Sequence, residues 1–385
     1  MPNSTLKRIL PLVMAPVVAL SMAGCALGGG GGGAASTPST TDTMTEDQLI
    51  TAAKAEGSVT VYSVTTRLAD AAKAFTAKYG IKVNETDLSD TDLVTKVSTE
   101  GSSGAVGADF VLAQDGARVQ AELLNQGYLY NYVPPSMASV IPADDQNPLV
   151  FGFINKLFIY NNSNSTTPPI NNIWDLADPQ WKGLFQIKDP SKEGVNENFF
   201  TMVTNQDWSD KIAAAYKDKH GADIQLTTSN AGEEWMKAIF QNGAVLTTSD
   251  TTMAENIGAQ GQDKTNIGLF TYSKVRYSTS MDLTLQPLVN MEPFAGFYYP
   301  IYALMAKNAQ HPNAAKLFIE YLLTPEGFAP WSADVGTYSA NPNVAVAQGD
   351  QPLATWEKVL VREDPAFCAA NRAAVEQFLN NYIQS

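Results

Sequence analysis

Cysteine is nearly absent: Cys25 and Cys368 are the only two among 385 residues. No disulfide framework can hold such a chain, so its stability has to come from a packed core. Histidine is equally scarce, with only His220 and His311, too few for a conventional histidine-based zinc centre. Positive charge is the minority, 25 Lys and Arg against 39 Asp and Glu for a net charge of −14. No cluster of Lys and Arg is present to meet a phosphate backbone, which excludes nucleic acid as a partner. A nucleophile elbow, a phosphate-binding glycine motif and metal-ligand spacing are all missing, so no enzyme class is singled out and no cofactor is expected. A secreted hydrolase built on some pair of the many carboxylates, or a surface sensor without transport, stays open as an alternative class. What the chain does have is 44% hydrophobic and 17% charged residues, the balance of a soluble protein with a sizeable core.

Lys7 and Arg8 precede an uncharged run from Ile9 to Met22, and Ala23 and Gly24 lead directly to Cys25. That run is short for a membrane-spanning helix and suits a signal-peptide core, so residues 1–24 are expected to be a leader. The stretch from Leu20 to Cys25 resembles the lipobox of bacterial lipoproteins, with Met22 where that pattern usually has leucine. The resemblance implies lipidation at Cys25. Gly28 to Gly33 and the small or hydroxylic residues that follow are too poor in apolar area to offset ordering entropy. Residues 25–44 therefore read as a tether.

Order is expected from Thr45, which with Gln48 forms a capping box. The β-rich run Ser58–Ser63 is followed by Leu68, Ala72, Phe75 and Tyr79 at helical spacing, then by Ile81–Val83. That is a βαβ unit and predicts a parallel sheet covered by helices. Further strands are expected at 109–113, 244–248 and 266–270, and helices at 117–126, 198–204, 208–219, 231–241 and after Pro312. The stretch 352–383 is also helical by pattern. Two long apolar segments, 151–160 and 297–306, bracket the middle third and suggest two crossings between lobes.

The stretches AAKAEGSVTVYS (52–63), FTAKYGIKV (75–83), WDLADPQWKGLFQIKDP (174–190) and HPNAAKLFIEYLLTPEG (311–327) resemble bacterial ABC-transporter solute-binding proteins of the two-crossover periplasmic type, especially the ferric-iron branch. The resemblance implies an α/β fold of two lobes, mostly parallel sheets covered by helices, hinged on two crossover strands. Residues 45–155 with 300–385 would form one lobe and 156–299 the other. It further implies a monomer outside the cytoplasm, anchored to the membrane by its lipid, that closes on a small solute and docks on an ABC permease and its ATPase. The iron-gripping branch commonly uses two adjacent tyrosines at a helix start. The matching loop here, Ser249-Asp250-Thr251-Thr252, has none, and the adjacent pair Tyr298 and Tyr299 lies on the predicted return strand, where only one can face the cleft.

Ligands in such lobes bind beyond the carboxyl ends of strands, beside helix starts. The candidate residues are therefore Tyr62, Ser63, Thr65, Thr66 and Arg67 after the first strand; Gln114 and Asp115; Glu193, Gly194 and Asn196; Ser249, Asp250 and Thr251; and Tyr298 and Tyr299. Each loop also has a structural reading, such as Asp115 as a plain helix cap. Three ligands stay open: ferric iron, with Tyr298 and Tyr299 as the candidate metal ligands; a small organic anion such as a phosphonate or sugar phosphate, for Arg67 and the hydroxyls; and a polyamine, for Asp115, Glu193 and Asp250.

Overall fold

The computed structural model describes residues 44–163, 165 and 167–383; the leader, Cys25 and nearly all of the tether lie outside them. Strands β1 (Ser58–Ser63), β2 (Lys82–Asp87), β3 (Phe110–Ala113), β4 (Leu129–Asn131), β5 (Val150–Tyr160) and β6 (Phe185–Lys188) occupy the first half of the sequence. Strands β7 (Val245–Thr247), β8 (Ile267–Thr271), β9 (Gln286–Pro287), β10 (Gly296–Ala306), β11 (Thr337–Ser339) and β12 (Leu360–Arg362) complete a connected sheet. Its main order is β2-β1-β3-β10-β5-β8-β6-β7.

The sequence determines the local elements as expected. Thr45 and Gln48 close a capping box on the helix Glu46–Glu56, and Gly57 ends it at φ 75°, a left-handed conformation that favours glycine. Leu68, Ala72 and Phe75 are buried along one face of the helix Leu68–Tyr79, where Phe75 stacks on Phe318 of the helix Pro312–Leu322. Both long strands are almost wholly buried. The tail of β5, from Lys156, pairs with β8, and the tail of β10, from Tyr302, pairs with β3, so each strand runs from one half of the sheet into the other.

Two expectations need correction. The sheet is mixed rather than mostly parallel: β1 with β2 and β3, β6 with β7 and β8, and β10 with β12 are parallel, but β5 and β10 run antiparallel to each other, β5 to β8 and β10 to β3. A segment that crosses from one half of the sheet to the other and one that returns must run in opposite directions. The C-terminal stretch is also not helical throughout. Leu360–Arg362 joins β10 as a parallel strand, and Pro365 starts a new helix to Ile383. That last helix packs on the helices Gly194–Met202 and Ala231–Gln241 as well as on the turn at Gly116–Arg118, so it spans both halves of the sheet.

Candidate functional site

Four helices start around one cavity of about 480 Å³ at the carboxyl ends of β1, β3, β6 and β7. Thr65, Thr66 and Arg67 lead into Leu68–Tyr79, and Ser89 caps Asp90–Ser102. Glu193 precedes Gly194–Met202, and Ser249 caps Asp250–Gly258 by accepting from the amides of Thr251 and Thr252. Each start carries the positive end of a helix dipole, so the cavity is biased toward anions before any side chain is counted.

Of the residues singled out from the sequence, Thr65, Thr66, Arg67, Gln114, Glu193, Ser249, Asp250, Thr251 and Tyr299 line this cavity. The other six do not. Ser63 is buried beneath it and shapes the turn, its Oγ bonding the amide and carbonyl of Thr65. Tyr62 points elsewhere, its hydroxyl on Glu100 and its ring under Lys96. Asp115 is buried behind the cleft at φ 61°, where it caps the turn at Gly116 and pairs with Arg372 and Asn198. It acts as the helix cap and is not among the residues that line the cavity. Gly194 donates its amide to Asp90 at 2.9 Å, and a β-carbon there would collide with the Asp115 carboxylate. The close approach of the two segments therefore requires glycine. Asn196 lies under the floor, accepting from Lys156 at 3.0 Å and donating to the Lys188 carbonyl. Strand alternation sends Tyr299 to the cavity and Tyr298 to the opposite face, where its hydroxyl bonds Glu357 at 3.3 Å. The two tyrosines therefore do not meet one ion. Among the described residues no group of three or more His, Cys, Asp or Glu is placed to hold a metal.

The floor is a closed set of charges. Lys156, fully buried on β5, bonds Glu193 and Asn196 and lies 3.5 Å from Asp250. Lys188 reaches the other oxygen of Glu193 at 2.8 Å. Burial pushes the Asp250 carboxyl up, but Lys156 and Lys188 outweigh it and hold it below the usual carboxylate range. Burial pushes the Tyr299 phenol well above its usual value, and Glu193 and Asp250 add to that. Tyr299 is thus a neutral hydrogen-bonding group at pH 7.

The mouth differs. Arg67 and Arg276 share the Asp334 carboxylate, and Lys274 bonds the Thr251 hydroxyl at 2.9 Å. Tyr277, beside Thr251, Lys274 and Arg276, has its phenol held below the usual range, first by the Thr251 hydrogen bond and then by those two cations. Sequence reading missed Lys156, Lys188, Lys274, Arg276 and Asp334. A lone lysine inside the apolar run of β5 was a usable signal; nothing local marks Asp334.

This arrangement, helix starts and hydroxyls around a cleft beside two crossing strands, defines an α/β solute receptor of the periplasmic-binding-protein fold. Residues 70–361 match the family described as bacterial extracellular solute-binding protein, and the chain belongs to it. It is accordingly an extracytoplasmic solute-binding protein and not an enzyme. Iron uptake protein A1 of Synechocystis sp. is 26% identical over 203 residues, 48% of this chain and 55% of the relative. The chain thus spans about half the length of that curated relative. Iron-bound HitA from Pseudomonas aeruginosa superposes with a TM-score of 0.65 at 18% identity, covering 84% of this chain and 99% of HitA. AfuA from Actinobacillus pleuropneumoniae, with exogenous fructose-6-phosphate bound, gives 0.65 at 19% identity over 85% of this chain and 98% of AfuA. At these identities the likeness to the solved structures establishes the fold alone.

Proposed function

We propose that this chain is the solute-binding component of an ABC importer and that its cleft takes a small, hydroxyl-bearing anion such as a sugar phosphate or phosphonate. The observation that carries the reading is a cluster of cations at the mouth of the cavity in an acidic protein. Arg67 and Arg276 share one carboxylate at the mouth, Lys274 bonds the Thr251 hydroxyl beside them, and four helix starts face the same cavity, in a chain of net charge −14. Arginine forks match phosphate and carboxylate oxygens, and threonine and serine hydroxyls suit a polyol. The fructose-6-phosphate in AfuA supports the same chemistry on this fold. The floor carboxylates are already neutralised by Lys156 and Lys188, which disfavours a polyamine. In this reading, residues 45–155 with 300–385 and residues 156–299 form the two lobes, which rotate about β5 and β10. A lipid on Cys25 holds the monomer near the permease and ATPase that receive the solute.

A second reading keeps ferric iron, delivered as a complex with an anion. It is favoured by the relative named for iron uptake and by iron-bound HitA. Within this cleft it would draw on Tyr299; Tyr277, whose hydroxyl lies 3.5 Å from that of the lining residue Thr251, has the phenol readier of the two to ionise.

A thermal-shift screen of ferric citrate, citrate, phosphonates, sugar phosphates and spermidine separates these readings. A ligand that binds only the folded state at 100 times its Kd adds about 2.7 kcal/mol. We expect the shift with anions in the absence of iron. A shift that requires ferric ion, with a visible charge-transfer band lost in Tyr299→Phe, would replace the anion reading with the iron one.

A further inference from the structure

Asp334 occupies an unusual position for a carboxylate in a ligand cleft. Its side chain is only 10% exposed, and a single oxygen, Oδ2, serves both Arg67 and Arg276, the latter at 3.4 Å. The two arginines come from opposite sides of the sheet: Arg67 follows β1 and Arg276 follows β8, and β3, β10 and β5 lie between those strands. The loop that carries Asp334 is fixed at both ends. Trp331 Nε1 donates to Thr65 Oγ1 at 3.1 Å, and Gly336 packs against the Tyr272 ring. Asp334 is thus held in line with both guanidinium groups and inside the same cavity.

We propose that Asp334 is an internal stand-in for the anionic group of the solute, and that an entering oxyanion displaces it to take over Arg67 and Arg276. This rests on the anion reading above and names the residue that sets its threshold. Each guanidinium offers five N–H donors in a planar fork, and one shared carboxylate oxygen uses few of them. A phosphate, with more acceptor oxygens and more charge, satisfies both forks at once. Without a resident anion, two guanidinium groups brought together across the cleft would repel, so Asp334 also lets the empty mouth approach closure. The cost falls on the solute, which must outcompete a tethered carboxylate. Uncharged sugars cannot do so, and Asp334 thereby discriminates against them.

The test is isothermal titration of the full-length protein with inorganic phosphate, citrate and glucose. Wild type is expected to bind the two anions and not glucose. Asp334→Asn keeps the side-chain shape and removes the competitor, so phosphate affinity should rise at least about fivefold, the size of one screened ion contact. Arg67→Ala added to that variant should abolish the gain. Asp334→Ser serves as a second variant if Asp334→Asn folds poorly, and a crystal structure of wild type with phosphate should show the Asp334–Arg67 pair broken. If wild type binds neither anion, the anion reading fails and this inference fails with it. If wild type binds phosphate while both variants bind it equally or more weakly, the anion reading stands and the stand-in role of Asp334 is overturned.

Discussion

The floor and the mouth of the cleft use the same kinds of side chain to opposite ends. On the floor, Lys156 and Lys188 alternate with Glu193 and Asp250, and Lys156 is fully buried. There, taking charges out of water is tolerable only because each faces its opposite. At the mouth, Arg67 and Arg276 are about one-third exposed and share Asp334, so water carries part of the cost and the cations keep donors to spare. A buried cluster of paired charges supports structure; a half-solvated one with donors to spare is available to a solute. Behind the hinge a third cluster resembles the floor, with Arg372 gripping both oxygens of Asp115 and, at 2.5 Å, Glu197 from the helix Gly194–Met202.

The sharpest way to break this contrast is to remove one charge from each region. Lys156→Met leaves Glu193 and Asp250 facing each other without their buried cation and should destabilise the fold by about 3–5 kcal/mol, read as a lower urea midpoint. A loss below about 1 kcal/mol would mean that the floor is solvated like the mouth. The next largest effect is pH-dependent and tests the cluster behind the hinge. Burial, helped by Asp115, pushes the Glu363 carboxyl up to about 8 from the ordinary 4.5. The folded state then holds this proton more tightly than the unfolded chain does, so the contribution is complete below pH 4.5 and is lost as pH rises to about 8. Glu363→Gln should flatten that decline, gaining on wild type between pH 5 and pH 8 in thermal melts; identical slopes would show Glu363 to be an ordinary carboxylate. Arg67→Ala should weaken anion binding about tenfold or more while changing stability by less than about 1 kcal/mol, since its pair is partly exposed. An equal loss of stability would assign Arg67 to structure. Smallest of all, anion affinity should fall severalfold between low and moderate salt because the mouth is screened, whereas urea midpoints governed by the floor should barely move. A salt-independent affinity would contradict the half-solvated mouth.

Much of the architecture was legible because burial writes itself into the sequence locally. The capping box at Thr45, the helical spacing of Leu68, Ala72 and Phe75, and the apolar runs of β5 and β10 each record a face turned from water. The short strand Leu360–Arg362 was not legible, because three residues next to helix-forming segments gain strand character only by pairing with β10. The site divided in the same way. Thr65, Arg67, Ser249 and Thr251 were found because a strand end followed by a helix start is a local signal. Asp115 had that same signal and was turned to the back of the cleft by a left-handed residue and the Arg372 clamp.

The sequence by itself determined that strands and helices alternate, that two long buried strands would carry the crossings, and that hydroxyl-rich turns would stand at helix starts. Those properties depend on neighbours a few residues apart. Only the tertiary structure decided that Lys156, 37 positions before Glu193, neutralises the floor, and that Asp334 stands between Arg67 and Arg276. Coulomb pairing depends on distance in space, which the order of residues along a chain does not record until the sheet has closed.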